Sequence, residues 1–225
     1  MSQNILTRRT SAVVFDMDGV LLDSAPSHSQ AFQEVFRPLG IHDFDYRRYA
    51  GWKTANVIET VLKGAGQQTA PHRVAELAAE KSRLARKKII ENNSVDPDSI
   101  TVLRRLSKEY LLGLASSGSR ASVAAFLSST GSAHVFKSVL CGDDVSQAKP
   151  HPEIYLRAFA ELGVEPEAAM VVEDAVAGIE AARAAGAGVV IGVEGTCSTA
   201  RLSEAGADRI VSSVSELPEF LCNAN

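Results

Sequence analysis

Asp16 and Asp18 stand two apart, directly after the apolar run Ala12-Val13-Val14-Phe15 and directly before Gly19. An apolar run, an acidic pair and a glycine read as a buried strand that ends in a sharp loop. Open α/β sheets bind their ligands at such carboxyl ends. Taken alone, the pair is equally well a turn cap. A second pair, Glu173-Asp174, ends another apolar run, Met170-Val171-Val172. In a parallel sheet both strand ends face the same way, so Asp16, Asp18, Glu173 and Asp174 would crowd one crevice. Two carboxylates about 5 Å apart repel by roughly 3 kcal/mol at an effective dielectric of ~20. The cluster must then bind a cation or hold protons. Oxygen-only donors favour Mg²⁺, and no His or Cys cluster suits zinc.

Two further segments suit an anion. Ser116-Ser117-Gly118-Ser119 follows Leu114-Ala115 and precedes a helical pattern. Hydroxyls and free N–H groups at a helix amino end make an anion cradle; ordinary serine capping accounts for the same residues. Lys149 precedes Pro150-His151-Pro152, and the prolines stiffen the loop that would hold its charge among the carboxylates. His151 reads as a loop residue. The basic run Lys81, Arg83, Arg86, Lys87 and Lys88 reads as a solvated helix face, with a phosphate-attracting rim as the alternative.

The elements that must position these groups are legible as a pattern. Strand-like runs fall at 12–16, 111–115, 138–141, 169–173, 188–193 and 209–211. Helical patterns at 120–130, 152–162, 176–185 and 197–205 alternate with them, with Gly186 as the stop of the third. Such alternation argues for βαβ units and a doubly wound α/β fold with a mostly parallel sheet. The strands are continuously apolar, as expected when both faces are covered. Residues 24–92 differ: amphipathic segments near 26–39, 54–64 and 71–91 predict a helical bundle inserted after the first strand. The expected division is a core of 1–23 and 93–225 and a cap of 24–92, resting over the carboxyl ends of the strands.

The chain has 225 residues, 45% of them hydrophobic and 22% charged, with a net charge of −4. That balance argues against a general nucleic-acid binder. Three cysteines, Cys141, Cys197 and Cys222, offer no disulfide framework, which suits a reduced cytoplasmic setting. Residues 1–10 are polar and no apolar run is long enough to span a bilayer. No membrane association is expected.

These residues resemble the haloacid dehalogenase superfamily, in its cap-type phosphatase and β-phosphoglucomutase-like branch. The stretch from Asp16-Met17-Asp18-Gly19 through Asp23-Ser24 is similar to its first motif, Ser116 to the second, Lys149-Pro150 to the third, and Glu173-Asp174 with Gly178 to the fourth. The resemblance implies a Rossmann-like core and phosphoryl transfer. Asp16 would be the nucleophile, and Asp18 the general acid and then base. Mg²⁺ would be held by Asp16, the Asp18 backbone carbonyl and Asp174, with Glu173 assisting. Ser116, Ser117 and Lys149 would bind the phosphoryl oxygens. The expected activity is hydrolysis of a small phosphate monoester, a sugar phosphate or similar metabolite, through an aspartyl phosphate.

Rival activities divide on particular residues. Dehalogenases of this superfamily lack the second aspartate, which is present here as Asp18. Phosphonate cleavage needs a cap lysine, for which Lys53 is the candidate. A phosphosugar mutase is the main rival, since His28 stands where that branch has a cap histidine. Its Lys-Gly pair and following arginine correspond here to Ala50-Gly51 and Thr54, and its lysine after the second motif to Ser119, beside Arg120. With those bases missing, hydrolysis is favoured. A phosphate-sensing scaffold is the non-enzymatic alternative. Of the aromatic residues Phe44, Tyr46, Tyr49 and Trp52, most read as cap core. Trp52 is expected to face the pocket, with Gly51 allowing close ligand approach and His28 and Lys53 setting specificity. The chain is expected to act as a monomer, with a dimer through the cap as the alternative.

Overall fold

The computed structural model describes residues 10–92, 95 and 97–222. Strand β1 (Ala12–Phe15) is followed by the helices α1 (Ala25–Phe36), α2 (Thr54–Gly64) and α3 (Pro71–Glu91). Then come α4 (Pro97–Leu106), β2 (Leu111–Ala115), α5 (Arg120–Thr130), β3 (Phe136–Leu140), α6 (Glu153–Leu162) and β4 (Ala169–Glu173). The chain continues through α7 (Val176–Ala184), β5 (Val189–Val193), α8 (Thr199–Glu204), β6 (Arg209–Val211) and α9 (Leu217–Cys222). The sheet is parallel throughout, in the order β3-β2-β1-β4-β5-β6. The doubly wound reading holds. No helix of the described residues is long and apolar enough to cross a membrane.

That order explains where chemistry can sit. From β1 the chain steps outward to β2 and β3, then returns to β4 on the other side of β1 and steps outward again. The direction reverses between β1 and β4, and the crevice beyond their carboxyl ends is the ligand site of such sheets. Asp16 follows β1, Ser116 follows β2, and Glu173 closes β4.

The strands are apolar because helices cover both faces. One cluster packs Val13, Phe15, Leu112, Leu114 and Val172 against α4 and α5. The other packs Val14, Val171 and Val190 against Tyr155 and Phe159 of α6 and Ile179 of α7. Strand β3 begins two residues before the expected 138–141. It lies at the sheet edge, where Phe136, Ser138 and Leu140 turn inward and Lys137 and Val139 outward, so its alternation hides it from a search for continuous apolar runs.

Helices α1, α2 and α3 have a core of their own, built from Phe32, Phe36, Val57, Ile58 and Leu62, with Phe44, Tyr46 and Tyr49 packed on it. The chain leaves for this insertion through Leu22, which bridges Val95 on the way back. The rest of the expected return segment 93–96, like the polar residues 1–9, lies outside the described residues. The same holds for the Cys222 side chain. Cys141 and Cys197 are buried free thiols.

Candidate active site

Lys149 sits at the centre of a buried charge cluster. Its ammonium donates to Asp16 Oδ1 at 2.6 Å, to Glu173 Oε1 at 2.7 Å and to the Ala115 carbonyl at 2.9 Å. An ammonium has three protons, so all three are committed. Glu173 is fully buried. Its Oε1 also accepts from Tyr155 Oη at 2.6 Å, and its Oε2 from the Asp174 and Ala175 backbone N–H groups. Glu173 therefore anchors Lys149 and the turn after β4. A side chain at Gly178 would overlap the Glu173 carboxylate, which accounts for the glycine there.

One lysine does not neutralise three acids. Burial, with repulsion from Glu173 and Asp18, raises Asp16 to about 7 against the pull of Lys149. Burial and the Glu173 and Asp16 charges hold Asp174 well above the carboxylate range. Asp16, Glu173 and Asp174 each offer an oxygen within 4.8 Å of the others. Gly19, at φ +83°, leaves its Cβ position to the Asp174 carboxylate. A hard divalent cation such as Mg²⁺ fits this donor set, which is all oxygen and short of positive charge. Asp16 and Asp174 have the free lone pairs for it, while those of Glu173 are engaged within the protein.

Asp18 is held apart from that cluster. Its Oδ1 accepts from Ser24 Oγ at 2.6 Å and from His28 Nε2 at 2.8 Å. Ser24 stands at the amino cap of α1 yet makes no cap bond; its hydroxyl serves Asp18 instead. Behind His28 lies Lys81, whose Nζ is 2.6 Å from His28 Nδ1 and 4.3 Å from the Phe32 ring centre. Lysine can only donate, so His28 Nδ1 accepts and Nε2–H points at Asp18. Burial alone would raise Asp18, but the His28 and Ser24 contacts and the Lys81 charge outweigh it and hold it at about 2. Burial and the Lys81 charge lower His28, and burial lowers Lys81 to about 8.

Asp16, Asp18, Asp174, His28, Lys81, Tyr46, Thr54 and Trp52 line one small cavity between the sheet and the helical insertion, closed on the sheet side by Ser117 and Gly118. Most expected site residues therefore meet. Two are placed differently from expectation. Ser116 is buried, and its Oγ accepts the Gly118 N–H within its own turn; Ser117 is the serine on the cavity, and its Oγ donates to the Gly51 carbonyl. Gly51, at φ +80°, lines the cavity as expected, and a side chain there would begin 3.0 Å from the Ala175 Cβ. Lys53 does not line the cavity; it donates to the Gly142 carbonyl at 3.0 Å and ties the insertion to the sheet. Trp52 does line it, standing edge-on to Tyr49 at 38% exposure.

Lys81 departs from the solvated reading of the basic run, for it is 3% exposed, while Arg83 and Lys87 are exposed as expected. The signal was present: Val74, Leu77, Lys81 and Leu84 share the apolar stripe of α3 at three- and four-residue spacing, and a lysine on such a stripe must meet a buried partner. Tyr155, six residues after Lys149, carried no comparable signal.

Residues 10–186 match the family model for haloacid dehalogenase-like hydrolases. The chain is 34% identical over 193 residues to Protein CbbY of Rhodobacter capsulatus, covering 80% of this chain and 84% of that protein. It is 31% identical over 182 residues to the fructose-1-phosphate phosphatase YqaB of Escherichia coli, covering 79% and 94%. It is also similar to the crystal structure of a β-phosphoglucomutase from Clostridium difficile, with a TM-score of 0.83 at 26% identity over 96% of each chain. The chain belongs to the haloacid dehalogenase-like hydrolase family.

Proposed function

We propose that this hydrolase is a Mg²⁺-dependent phosphatase that cleaves a small phosphate monoester, a sugar phosphate or similar metabolite, through an aspartyl phosphate on Asp16. The observation that carries the reading is the separation of two carboxylates over one cavity. Asp16 has one oxygen tied to Lys149 and the other free, while Asp18 is served by Ser24 and His28. One acid is set up to attack and the other to handle protons.

The free Asp16 oxygen attacks phosphorus, the bond to the leaving oxygen breaks, and that oxygen takes a proton from Asp18. Asp18 then removes a proton from water, which attacks phosphorus and releases Asp16. Asp18 is ionised in the free protein, and an anionic phosphoryl group beside it raises its proton affinity. The chain from Lys81 through His28 ends on Asp18 and is a route for that proton. Asp16, Asp174 and the Asp18 backbone carbonyl would hold Mg²⁺, which supplies charge neutralisation at the phosphoryl oxygens when bound. Helices α1–α3 would act as a cap that excludes water. The cap would be residues 24–92 on a core of 1–23 and 93–225, and the protein would act as a monomer on a small metabolite in a reduced cytoplasmic setting, which the free thiols Cys141 and Cys197 suit.

The test is phosphate release from an aryl phosphate with Mg²⁺, abolished in Asp16→Asn. A phosphosugar mutase is the second reading, favoured by the likeness to a β-phosphoglucomutase structure. It is set apart by formation of glucose 6-phosphate from β-glucose 1-phosphate with a bisphosphate primer, where a phosphatase yields free phosphate alone.

A further inference from the structure

A second cavity of about 180 Å³ opens between α3 and α5, on the same wall as the first. Asp18, His28, Thr54, Lys81 and Gly118 line both. The group that protonates a leaving oxygen must stand between the phosphoryl site and the leaving group. Asp18 is the carboxylate that lines both cavities. A much larger cleft of about 890 Å³ lies between α1 and the turn after β5, but it touches neither Asp16, Asp18 nor Asp174.

The α3–α5 cavity has a definite chemistry. Ala85 and Ile89 of α3 and Ala125 and Phe126 of α5 give it apolar walls. The hydroxyls on its α5 side are already engaged: Ser119 and Ser122 bond each other, and Ser129 donates to the Phe126 carbonyl. The α3 side is different. Ser82 and Arg86 are one helical turn apart, both half-buried and both on the cavity. The other Lys and Arg side chains of α3 are occupied: Arg73 by Glu76, Lys81 by His28, Arg83 by Glu80, Lys87 by Glu91 and Lys88 by Glu34. Arg86 has no such partner among the described residues. Asp18 is the one acid on the cavity, and it is engaged by Ser24 and His28.

The geometry points to Arg86 as a specificity residue that receives an anionic group on the leaving alcohol. This rests on the phosphatase reading and extends it to the substrate class. A cavity of about 150 Å³ holds a benzene ring, so this one takes a leaving group of that size with a small substituent. The substrate class is therefore a phosphate ester whose alcohol has an apolar face and, at its end away from the ester oxygen, a carboxylate or a second phosphate. A planar guanidinium reads either anion by paired N–H donors.

The test is a ratio of kcat/KM values, measured with Mg²⁺. The probes are 4-carboxyphenyl phosphate, 1,4-phenylene bisphosphate and the neutral 4-carbamoylphenyl phosphate. In Arg86→Met the charged-to-neutral ratio is expected to fall at least about tenfold, the size of one charge-assisted hydrogen bond, chiefly through KM. Arg86→Lys is expected to restore part of it. The carboxylate and bisphosphate arms show which anion is preferred. Ala125→Leu, which narrows the same cavity from α5, is expected to lower kcat/KM for all three esters. Turnover of all three with a ratio unmoved by Arg86→Met, or with rates unmoved by Ala125→Leu, overturns the inference and leaves the phosphatase reading intact. Absence of turnover with all three in the wild-type protein overturns the phosphatase reading beneath it.

Discussion

Lys81 Nζ lies 2.6 Å from His28 Nδ1, on the opposite side of the imidazole from Asp18. A cation from α3, a ring from α1 and a carboxylate from the loop after β1 thus form one line from the helical insertion into the sheet. The ammonium fixes the tautomer of the ring, and the ring fixes the ionised state of Asp18.

Lys81→Met tests that line. Burial and the Lys81 charge hold His28 below its usual 6.5; removing the charge is expected to move His28 upward, read by NMR titration of its ring signals. kcat/KM should fall about 100-fold, the lower end of general acid–base contributions. An unmoved His28 titration would sever Lys81 from the proton route.

The parallel sheet, the helical insertion and the carboxylates at the ends of β1 and β4 were legible in the sequence because each is a local pattern. A strand covered on both faces is an apolar run, and the acids follow at its end. What was hidden is what depends on long-range packing. Glu173 looks like Asp174 in sequence, yet burial under Lys149 and Tyr155 turns one into an anchor while the other keeps free lone pairs. Lys53 reads as a pocket residue beside Trp52 until its ammonium is seen on the Gly142 carbonyl. Ser116 and Ser117 are adjacent and alike, and only the turn decides which faces the cavity.

The charge cluster predicts how stability varies with pH. Asp16 moves up from 3.8 to about 7, so the folded protein keeps a proton there that the unfolded chain releases. This contribution is complete below pH ~4 and is lost as pH rises through about 7; Asp174 moves in the same direction. His28 opposes them, since its contribution is complete above about 6.5 and is lost as pH falls below that value. The metal-free protein should lose stability between about pH 5 and pH 8, on the order of a few kcal/mol. Thermal melts should show a shallower decline in Asp16→Asn.

Mg²⁺ should relieve the same repulsion. At about a hundredfold excess over its dissociation constant a ligand stabilises by about 2.7 kcal/mol, or about 5–10 °C for a chain of this size. The shift should be larger at about pH 8 than at about pH 5, because protons compete for Asp16 and Asp174. Asp174→Asn should lose most of it in a thermal-shift measurement. An undiminished shift in that variant would place the ion elsewhere.

Tyr155→Phe removes one donor to the fully buried Glu173 while keeping the ring. Leaving that oxygen short of a partner should cost about 1–3 kcal/mol in urea unfolding. Because Glu173 also holds Lys149, which neutralises Asp16, kcat should fall several-fold with KM little changed. Wild-type kinetics would detach this anchor from the chemistry.

The most direct test of the central claim is to stop turnover with acid and map phosphorylation by peptide mass spectrometry. During steady turnover of an aryl phosphate with Mg²⁺, the peptide carrying Asp16 should be phosphorylated. The label should be removable by hydroxylamine and absent in Asp16→Asn, which should also be inactive. Rapid turnover with Asp16 unmodified under the same quench, or with the phosphoryl group on another residue, would contradict the account.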